Sequence, residues 1–225
     1  MPEEWLRKPG DTIPAVEIRS YEPRDRAAVR EICRATAYGG GEGAALPDPV
    51  FFTDLMMRAW TDFDAGPLWV AEQDGQVQGY LAGCIDRRRF ARLQAWRVVP
   101  PAVAGALARG LLLRPAVWRL LFGLPGFLAA SRGGPRLDDF PGELHINLLP
   151  PVRGHEVGSQ MVERFLGEAS HHGLPGVHAI VYEENEGARH FFENLGFRSL
   201  GRQPAFRPPP ADGRREWKIV YGLEL

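Results

Sequence analysis

A short segment in the C-terminal half of the chain combines the residue types that bind phosphate groups. Residues 144–149 form an apolar run that fits a buried strand, and two prolines end it. Residues 153–159, which include Gly154 and Gly158, then lead into a helix. A glycine-containing turn at a helix N-terminus directs unpaired backbone N–H groups and the positive end of the helix dipole at one point. Because such a point attracts anions, the sequence predicts a ligand that carries phosphate.

The elements that must position this turn follow from hydrophobic spacing and turn residues. The predicted order is strand, helix, helix, hairpin, insertion, strand, helix, strand, helix, strand, strand. Strands are expected over residues 16–19, 68–71, 77–85, 144–149, 198–203 and 216–221 and before Tyr182, and helices from Pro23, over 49–60, after the turn and near Asn185. Asp74-Gly75 is typical of a hairpin turn. This order predicts an α/β (α+β) fold with a mixed sheet of about seven strands and helices on both faces.

The composition bounds the class of protein. The 225 residues are 44% hydrophobic and 24% charged, typical of one globular domain, here over 15–225 after a flexible leader at 1–14. A formal net charge of −1 argues against a nucleic-acid partner. The N-terminus lacks the apolar core of a signal peptide and no uncharged run is long enough for a transmembrane segment, so a cytoplasmic location is expected. Cys33 and Cys84 are expected to be buried reduced thiols, and no metal site is predicted.

Residues 87–141 interrupt this pattern with an arginine-rich insertion between the third and fourth strands. Ten arginines and no acidic residue lie between positions 87 and 136, whereas the rest of the chain carries 17 basic and 28 acidic residues. Helical pieces are expected at 103–113 and 115–122, with prolines between and around them. Three roles fit: a helical cap with paired arginines, a lid over an acceptor site or a homodimer interface, or a contact with an anionic membrane or acidic partner.

The element order and two motifs resemble the GCN5-related N-acetyltransferase (GNAT) superfamily. Its turn pattern, Gln/Arg-x-x-Gly-x-Gly/Ala, matches Arg153-Gly154-His155-Glu156-Val157-Gly158. Its second pattern, Asn-x-x-Ala-x-x-Phe-Tyr-x-x-x-Gly-Phe, is similar to the segment from Asn185 to Phe197. The resemblance covers about 16–221 apart from the insertion. Residues 144–150 also look like bacterial members related to the acetyltransferase-like domain of O-GlcNAc hydrolases.

The resemblance implies acetyl-CoA as the donor, without a metal, and a small-molecule or peptide amine as the acceptor. In this fold the fourth and fifth strands splay apart to admit the pantetheine arm. The residues expected to contact the donor are Leu148 and Leu149 on the strand, Arg153, Gly154, His155, Glu156, Val157, Gly158 and Ser159 at the pyrophosphate, and Asn185 and Phe192 on the other side.

Direct attack by the amine implies a base that accepts its proton, often through water. Glu143 and His145 are the candidates, because alternation along a strand puts them on one face. Each also has a structural interpretation: Glu143 as a solvated strand end, His145 as a half-buried residue hydrogen-bonded to a neighbour.

Two positions depart from the family's patterns. Glu156 stands where a glycine is usual: an inward-pointing carboxylate there would repel a pyrophosphate, whereas the outward orientation, which we expect, avoids that cost. Phe192 stands where the family has the tyrosine that protonates the leaving thiolate, so Tyr182 or water must take that role. These departures favour an alternative in which the chain is a non-catalytic binding module that has lost acetyl-CoA binding or turnover.

Overall fold

The computed structural model describes residues 16–37, 48–115, 117–118, 122, 133–205 and 216–225. The predicted leader at 1–14 lies outside these residues. The described parts of the chain contain six bounded α-helices and seven strands, besides short 3₁₀ and π-helical turns. The helices are α1 (Arg26–Ala35), α2 (Pro49–Phe63), α3 (Arg87–Leu93), α4 (Val99–Ala108), α5 (Val157–His171) and α6 (Glu186–Asn194). The strands are β1 (Glu17–Ser20), β2 (Leu68–Gln73), β3 (Gln76–Cys84), β4 (Gly142–Leu148), β5 (Gly176–Tyr182), β6 (Arg198–Pro204) and β7 (Trp217–Glu224).

The strands form one mixed sheet in the order β1-β2-β3-β4-β5-β7-β6. Neighbouring strands are antiparallel except β4 and β5, which are parallel. The hairpin between β2 and β3 turns at Asp74 and Gly75, both of which have positive φ, as a two-residue type I′ turn requires. The predicted α/β fold with helices on both faces is confirmed.

One face of the sheet is covered by α5 and α6. Helix α5 buries residues at helical spacing, and together with odd-numbered β5 residues they form the larger core: Val157, Met161, Val162, Phe165, Ala169, Val177, Ala179 and Val181. The Phe165 ring lies so close to β3 that a Cβ at Gly83 would come within 2.4 Å of it. This contact fixes how closely α5, and so the turn before it, approaches the sheet.

The opposite face is covered by α1 and α2. Val29, Ile32 and Cys33 of α1 and Met57 and Trp60 of α2 pack on β2 and β3 in a second core. Both cysteines are free and buried, as predicted. Burial raises the pKa of Cys33 to about 11 and that of Cys84 to about 12. Both thiols are therefore protonated at neutral pH, which argues against a nucleophilic role.

The insertion differs from its sequence-based prediction. Instead of separate pieces interrupted by Pro100 and Pro101, α3 continues through a π-helical turn at Gln94–Val98 into α4. The two prolines lie in the first turn of α4, where backbone N–H groups have few partners within an α-helix, so the missing N–H groups cost little. The insertion packs against α2, and Arg109, the C-cap of α4, pairs with Asp48, the N-cap of α2. The piece predicted at 115–122 lies largely outside the described residues.

The parallel strands β4 and β5 separate after a short contact. They pair only at Gly142 with Val177 and at Glu143 with His178. Beyond this point β4 keeps its pairing with β3, from Cys84–Glu143 to Gly79–Leu148, and β5 keeps its pairing with β7. A V-shaped gap therefore opens in the middle of the sheet towards the carboxyl ends of both strands, where α5 begins.

Candidate active site

A cavity of about 410 Å³ occupies this gap. Of the residues predicted to contact the donor, it is lined by Leu148, Arg153, Gly154, Glu156, Gly158, Ser159, Asn185 and Phe192. It is also lined by residues that the sequence did not single out: Thr36, Ile146, Asn147, Gly187, Ala188 and Phe191. Its size falls in the usual range of small-molecule sites. The structure thus brings together residues from α1, β4, the turn and α6.

One end of the cavity is formed by the N-terminus of α5. The Glu156 N-cap makes no side-chain capping hydrogen bond, and the first helical amides, from Val157 to Ser159, have no acceptor within the helix. Gly154 and Glu156 both adopt left-handed backbone, which turns this segment tightly. With the Arg153 guanidinium also in the lining, this end of the cavity suits an anionic group.

Two predicted contacts in this turn point elsewhere. The Val157 side chain is 4% exposed and packs in the core under α5, so only its backbone faces the turn. His155 is exposed and does not line the cavity. The turn would therefore hold a ligand mainly through its backbone and through Arg153.

Glu156 combines two unfavourable features, a negative charge at the cavity and a strained left-handed backbone, and two different replacements can test them separately. It is exposed, lines the cavity and has φ of 60°, where an L-residue loses about 1–2 kcal/mol relative to glycine. For the acetyl-CoA donor that the sequence resemblance implies, we expect Glu156→Gln to tighten binding about fivefold by removing a like charge near the ligand's pyrophosphate, with unchanged stability. Glu156→Gly should match this gain and also raise the free energy of unfolding by roughly 0.5–1 kcal/mol.

Isothermal titration with acetyl-CoA and urea denaturation of both variants measure the two effects separately. Weaker binding in both variants would contradict this interpretation and assign the carboxylate a positive role.

The opposite wall of the cavity is the start of α6. Asn185 caps this helix by accepting a hydrogen bond from the Ala188 amide at 3.0 Å, so its side chain is fixed at the cavity edge. Phe192 is 4% exposed and stacks against Tyr221 with ring centroids 6.2 Å apart. It therefore closes the cavity floor as part of the core, and Phe191 covers the adjoining part of the wall.

The backbone groups of β4 that face the gap belong to Ile146 and Leu148 and not to Leu149, which was also predicted to contact the donor. The Leu149 amide donates to the Gln78 carbonyl on the β3 side at 2.8 Å, and its side chain packs in the second core. Because backbone groups alternate along an antiparallel strand, those of Ile146 and Leu148 point towards the gap. Arg153 Nε already donates to the Leu148 carbonyl at 2.8 Å. The groups left for a ligand are those of Ile146 and the Leu148 amide, rather than Leu149.

A polar network lies on the α1 side of β4, next to the cavity. Asn147 Nδ2 donates to Tyr80 Oη at 2.7 Å and lies 3.1 Å from His145 Nε2. Since an amide nitrogen can only donate, Nε2 accepts and the ring proton lies on Nδ1. Nδ1 is buried and has no partner in the described part of the chain. Cys33 extends the network by hydrogen bonding with Tyr80. His145 is thus held as a neutral ring with a free donor.

The buried position of His145 has a measurable consequence for stability. Burial lowers the pKa of His145 to about 4, well below that of an unfolded histidine. Between about pH 6.5 and pH 4 the unfolded chain therefore binds a proton that the folded protein does not, and stability falls as the pH falls. From pH 7.5 to 5.0 we expect a loss of about 2 kcal/mol that His145→Gln does not show. Urea unfolding of both proteins at the two pH values measures it; parallel losses would contradict it.

Glu143, His145 and Tyr182 lie on one face of the sheet, and none of the three lines the cavity. Glu143 is half-exposed at the last rung before the gap, with Oε2 3.8 Å from Nε2 of the buried His178. His178 Nδ1 lies 2.8 Å from the Phe140 carbonyl, which fixes the ring. Tyr182 ends β5, with the Lys218 ammonium 4.6 Å from its ring centroid. His178 was not predicted, although β5 alternation places it on this face.

The described residues contain no cluster of three His, Cys, Asp or Glu side chains that could hold a metal ion. None of the helices in the described ranges is long and apolar enough to cross a membrane.

Comparisons with known proteins agree with this geometry. The mycothiol acetyltransferase of Brachybacterium faecium is 32% identical over 85 residues, which is 37% of this chain and only 26% of that relative's length. The crystal structure of SsHAT is 26% identical, covers 94% of this chain and 98% of its own, and superposes with a TM-score of 0.67.

A more distant structure shares the fold. The yncA protein of Salmonella typhimurium, determined with its cofactor acetyl-CoA, is 18% identical with a TM-score of 0.56 over 94% of each chain. A family model described as "Acetyltransferase (GNAT) domain" matches residues 54–198, more than half of the chain. The chain therefore belongs to the GNAT family, a family of acyltransferase enzymes.

Proposed function

We propose that this protein is an acetyl-CoA-dependent N-acetyltransferase that transfers an acetyl group to an amine. The observation that carries the proposal is the cavity in the V-shaped gap, which joins the uncapped α5 N-terminus to the face that bears Glu143 and His145. One end suits phosphate, and the strand edge suits an amide-containing arm. A residue that can accept a proton, Glu143, lies where the gap begins, and acyl transfer to an amine requires such a residue.

The residues present fit the donor. Arg153 and the amides at the α5 N-terminus would hold the pyrophosphate, the free groups of Ile146 and Leu148 would pair with the arm, and Asn185 would border it. Gly158 leaves the space that this requires, because a Cβ there would come within 3.1 Å of the Phe191 ring. When bound, acetyl-CoA would supply the acetyl group as an activated thioester.

Glu143 is the proton acceptor in this proposal. It is ionisable, partly solvated and therefore able to take up the proton of an ammonium group directly or through water. His145 is held with its proton on Nδ1 and its Nε2 occupied by Asn147, so it is not placed to accept a proton. Tyr182 or water would protonate the leaving sulfur, because the Phe192 ring has no proton to give.

The acceptor is proposed to be a small-molecule or peptide amine, with the protein in the cytoplasm. We also propose kinship with the bacterial proteins related to the acetyltransferase-like domain of O-GlcNAc hydrolases, on the basis of residues 144–150. The match to mycothiol acetyltransferase covers too little of that relative to transfer its acceptor.

A second candidate function is that of a binding module without turnover. Glu156 in left-handed backbone within the turn and Phe192 in the position of the usual acid favour it. Both candidates share the fold, so ligand binding and turnover must separate them.

Thermal unfolding with and without acetyl-CoA tests the proposed donor, with dephospho-CoA and pantetheine as controls. Ligand at about 100 times its dissociation constant adds roughly 2.7 kcal/mol to stability, or about 5–10 °C for a chain of this size. Pantetheine, which lacks the pyrophosphate, should give a much smaller shift. Acetyl-CoA consumption with a panel of amines then tests turnover. Binding without turnover would favour the second candidate, and no shift at millimolar donor would exclude the phosphate site.

A further inference from the structure

The outer surface of the insertion exposes large apolar side chains. Trp96 is 78% exposed in the π-helical turn, and Val99, Val103 and Leu107 follow it along α4 at helical spacing, each at least 38% exposed. The inner residues Val98, Ala102 and Ala106 are buried. Leu113 and Phe122 beyond α4 are 87% and 80% exposed. Because soluble proteins rarely leave such side chains together on the surface, this face is expected to meet a partner.

The insertion also carries arginines on α3 that have no ion-pair partner among the described residues. Arg87, Arg88, Arg89 and Arg92 are exposed on α3, and none forms an ion pair with any residue in the described ranges. By contrast, Arg109 at the end of α4 is paired with Asp48. The nearest acidic residue to the α3 arginines in sequence is Asp86, which caps α3 through the Arg89 amide.

The sequence that follows α4 continues this character. Residues 111–130 contain two charged residues, both arginines, and are otherwise mainly leucine, phenylalanine, alanine and tryptophan with helix-breaking glycine and proline. Such a segment is too interrupted to span a bilayer but matches the composition of chain that lies at a membrane interface.

We propose that the outer surface of the insertion, formed by the α3 arginines and by Trp96, Val99, Val103, Leu107 and Leu113, binds the surface of an anionic lipid bilayer. The arginines contact lipid phosphates while the apolar side chains enter the boundary between headgroups and acyl chains. A second copy of the chain fits less well, because a two-fold symmetric pair would bring the unpaired arginines of both copies into one interface without an acidic partner from this surface. None of the residues that line the cavity in the sheet belongs to this surface.

Vesicle flotation of the complete chain tests the proposal. We expect it to float with vesicles of phosphatidylcholine and phosphatidylglycerol, to stay behind with phosphatidylcholine alone, and to bind more weakly at high salt. The triple variant Arg88→Gln/Arg89→Gln/Arg92→Gln should lower the partition coefficient roughly 100-fold. The charge-matched control Arg24→Gln/Arg34→Gln/Arg198→Gln removes three paired surface arginines and should stay within a few-fold of wild type.

The apolar contribution has its own pair of variants. Trp96→Ser/Leu113→Ser should abolish most binding, whereas Leu225→Ser, which removes an exposed apolar side chain after β7, should not. Circular dichroism verifies that all variants fold. Failure to float, equal binding to both vesicle types, or equal losses in the two arginine triples would each overturn the proposal. So would self-association in sedimentation that Trp96→Ser/Leu113→Ser abolishes in a chain that does not bind vesicles.

Discussion

Replacing Gly158 with leucine is expected to lower the affinity for acetyl-CoA at least ~100-fold while the protein still folds. Even a Cβ at this position would lie 3.1 Å from the Phe191 ring and 3.3 Å from Leu148 Cδ1, and a larger side chain would fill the cavity beside the α5 N-terminus. Phe191 is only partly buried, so it can move to admit the new side chain in the free protein. Isothermal titration and urea denaturation measure binding and folding separately.

Gly167 on the same helix is the matched control. It is exposed, and a Cβ there would have no heavy atom within 4 Å. Gly167→Leu therefore makes the same chemical change in α5 without touching the cavity, and it should gain roughly 0.5–1 kcal/mol of stability with unchanged affinity. If Gly158→Leu bound acetyl-CoA as tightly as this control, the cavity would not be the donor site.

Replacing Glu143 with glutamine is expected to lower kcat by roughly 10²–10⁴-fold, with the amine that the acceptor panel identifies. The amide keeps the shape of the side chain but cannot take up a proton. Because Glu143 does not line the cavity, the dissociation constant for acetyl-CoA should be unchanged. Steady-state kinetics at saturating donor, together with titration of acetyl-CoA, give the two quantities.

Glu17→Gln makes the same charge change on β1, at the far edge of the sheet, and should have wild-type kcat. A kcat for Glu143→Gln equal to that of this control would exclude Glu143 as the base. A loss confined to His145→Gln would transfer the role to the neighbouring imidazole and contradict the tautomer inferred from Asn147.

The fold could be predicted where local chemistry decides conformation. Asp74-Gly75 specified its hairpin because both residues tolerate positive φ, and the apolar spacing from Val157 to Ala169 specified the buried side of α5. The position of the turn before α5 was predictable for the same reason, since Gly154 tolerates the positive φ that this turn requires.

What the sequence did not indicate depends on contacts between distant segments. Pro100 and Pro101 normally end a helix, but packing of the insertion against α2 and the π-helical turn before α4 place them where proline is tolerated. The contact between Asn147 and His145 depends on Tyr80 of the adjacent strand, which holds the Asn147 side chain in place. Likewise His178 meets Glu143 only through a parallel strand pairing that joins residues 35 positions apart in the chain.

The short β4–β5 pairing also determines how strongly the two halves of the sheet are connected. Past Glu143 and His178, the half built on β1 to β4 and the half built on β5 to β7 share no backbone hydrogen bonds among the described residues. A ligand that bonds to β4 and also contacts α6 would act as a substitute strand and join the two halves into one cooperative unit. Amide exchange in β5 and β7 should then slow when the gap is filled, even though neither strand changes its own partners.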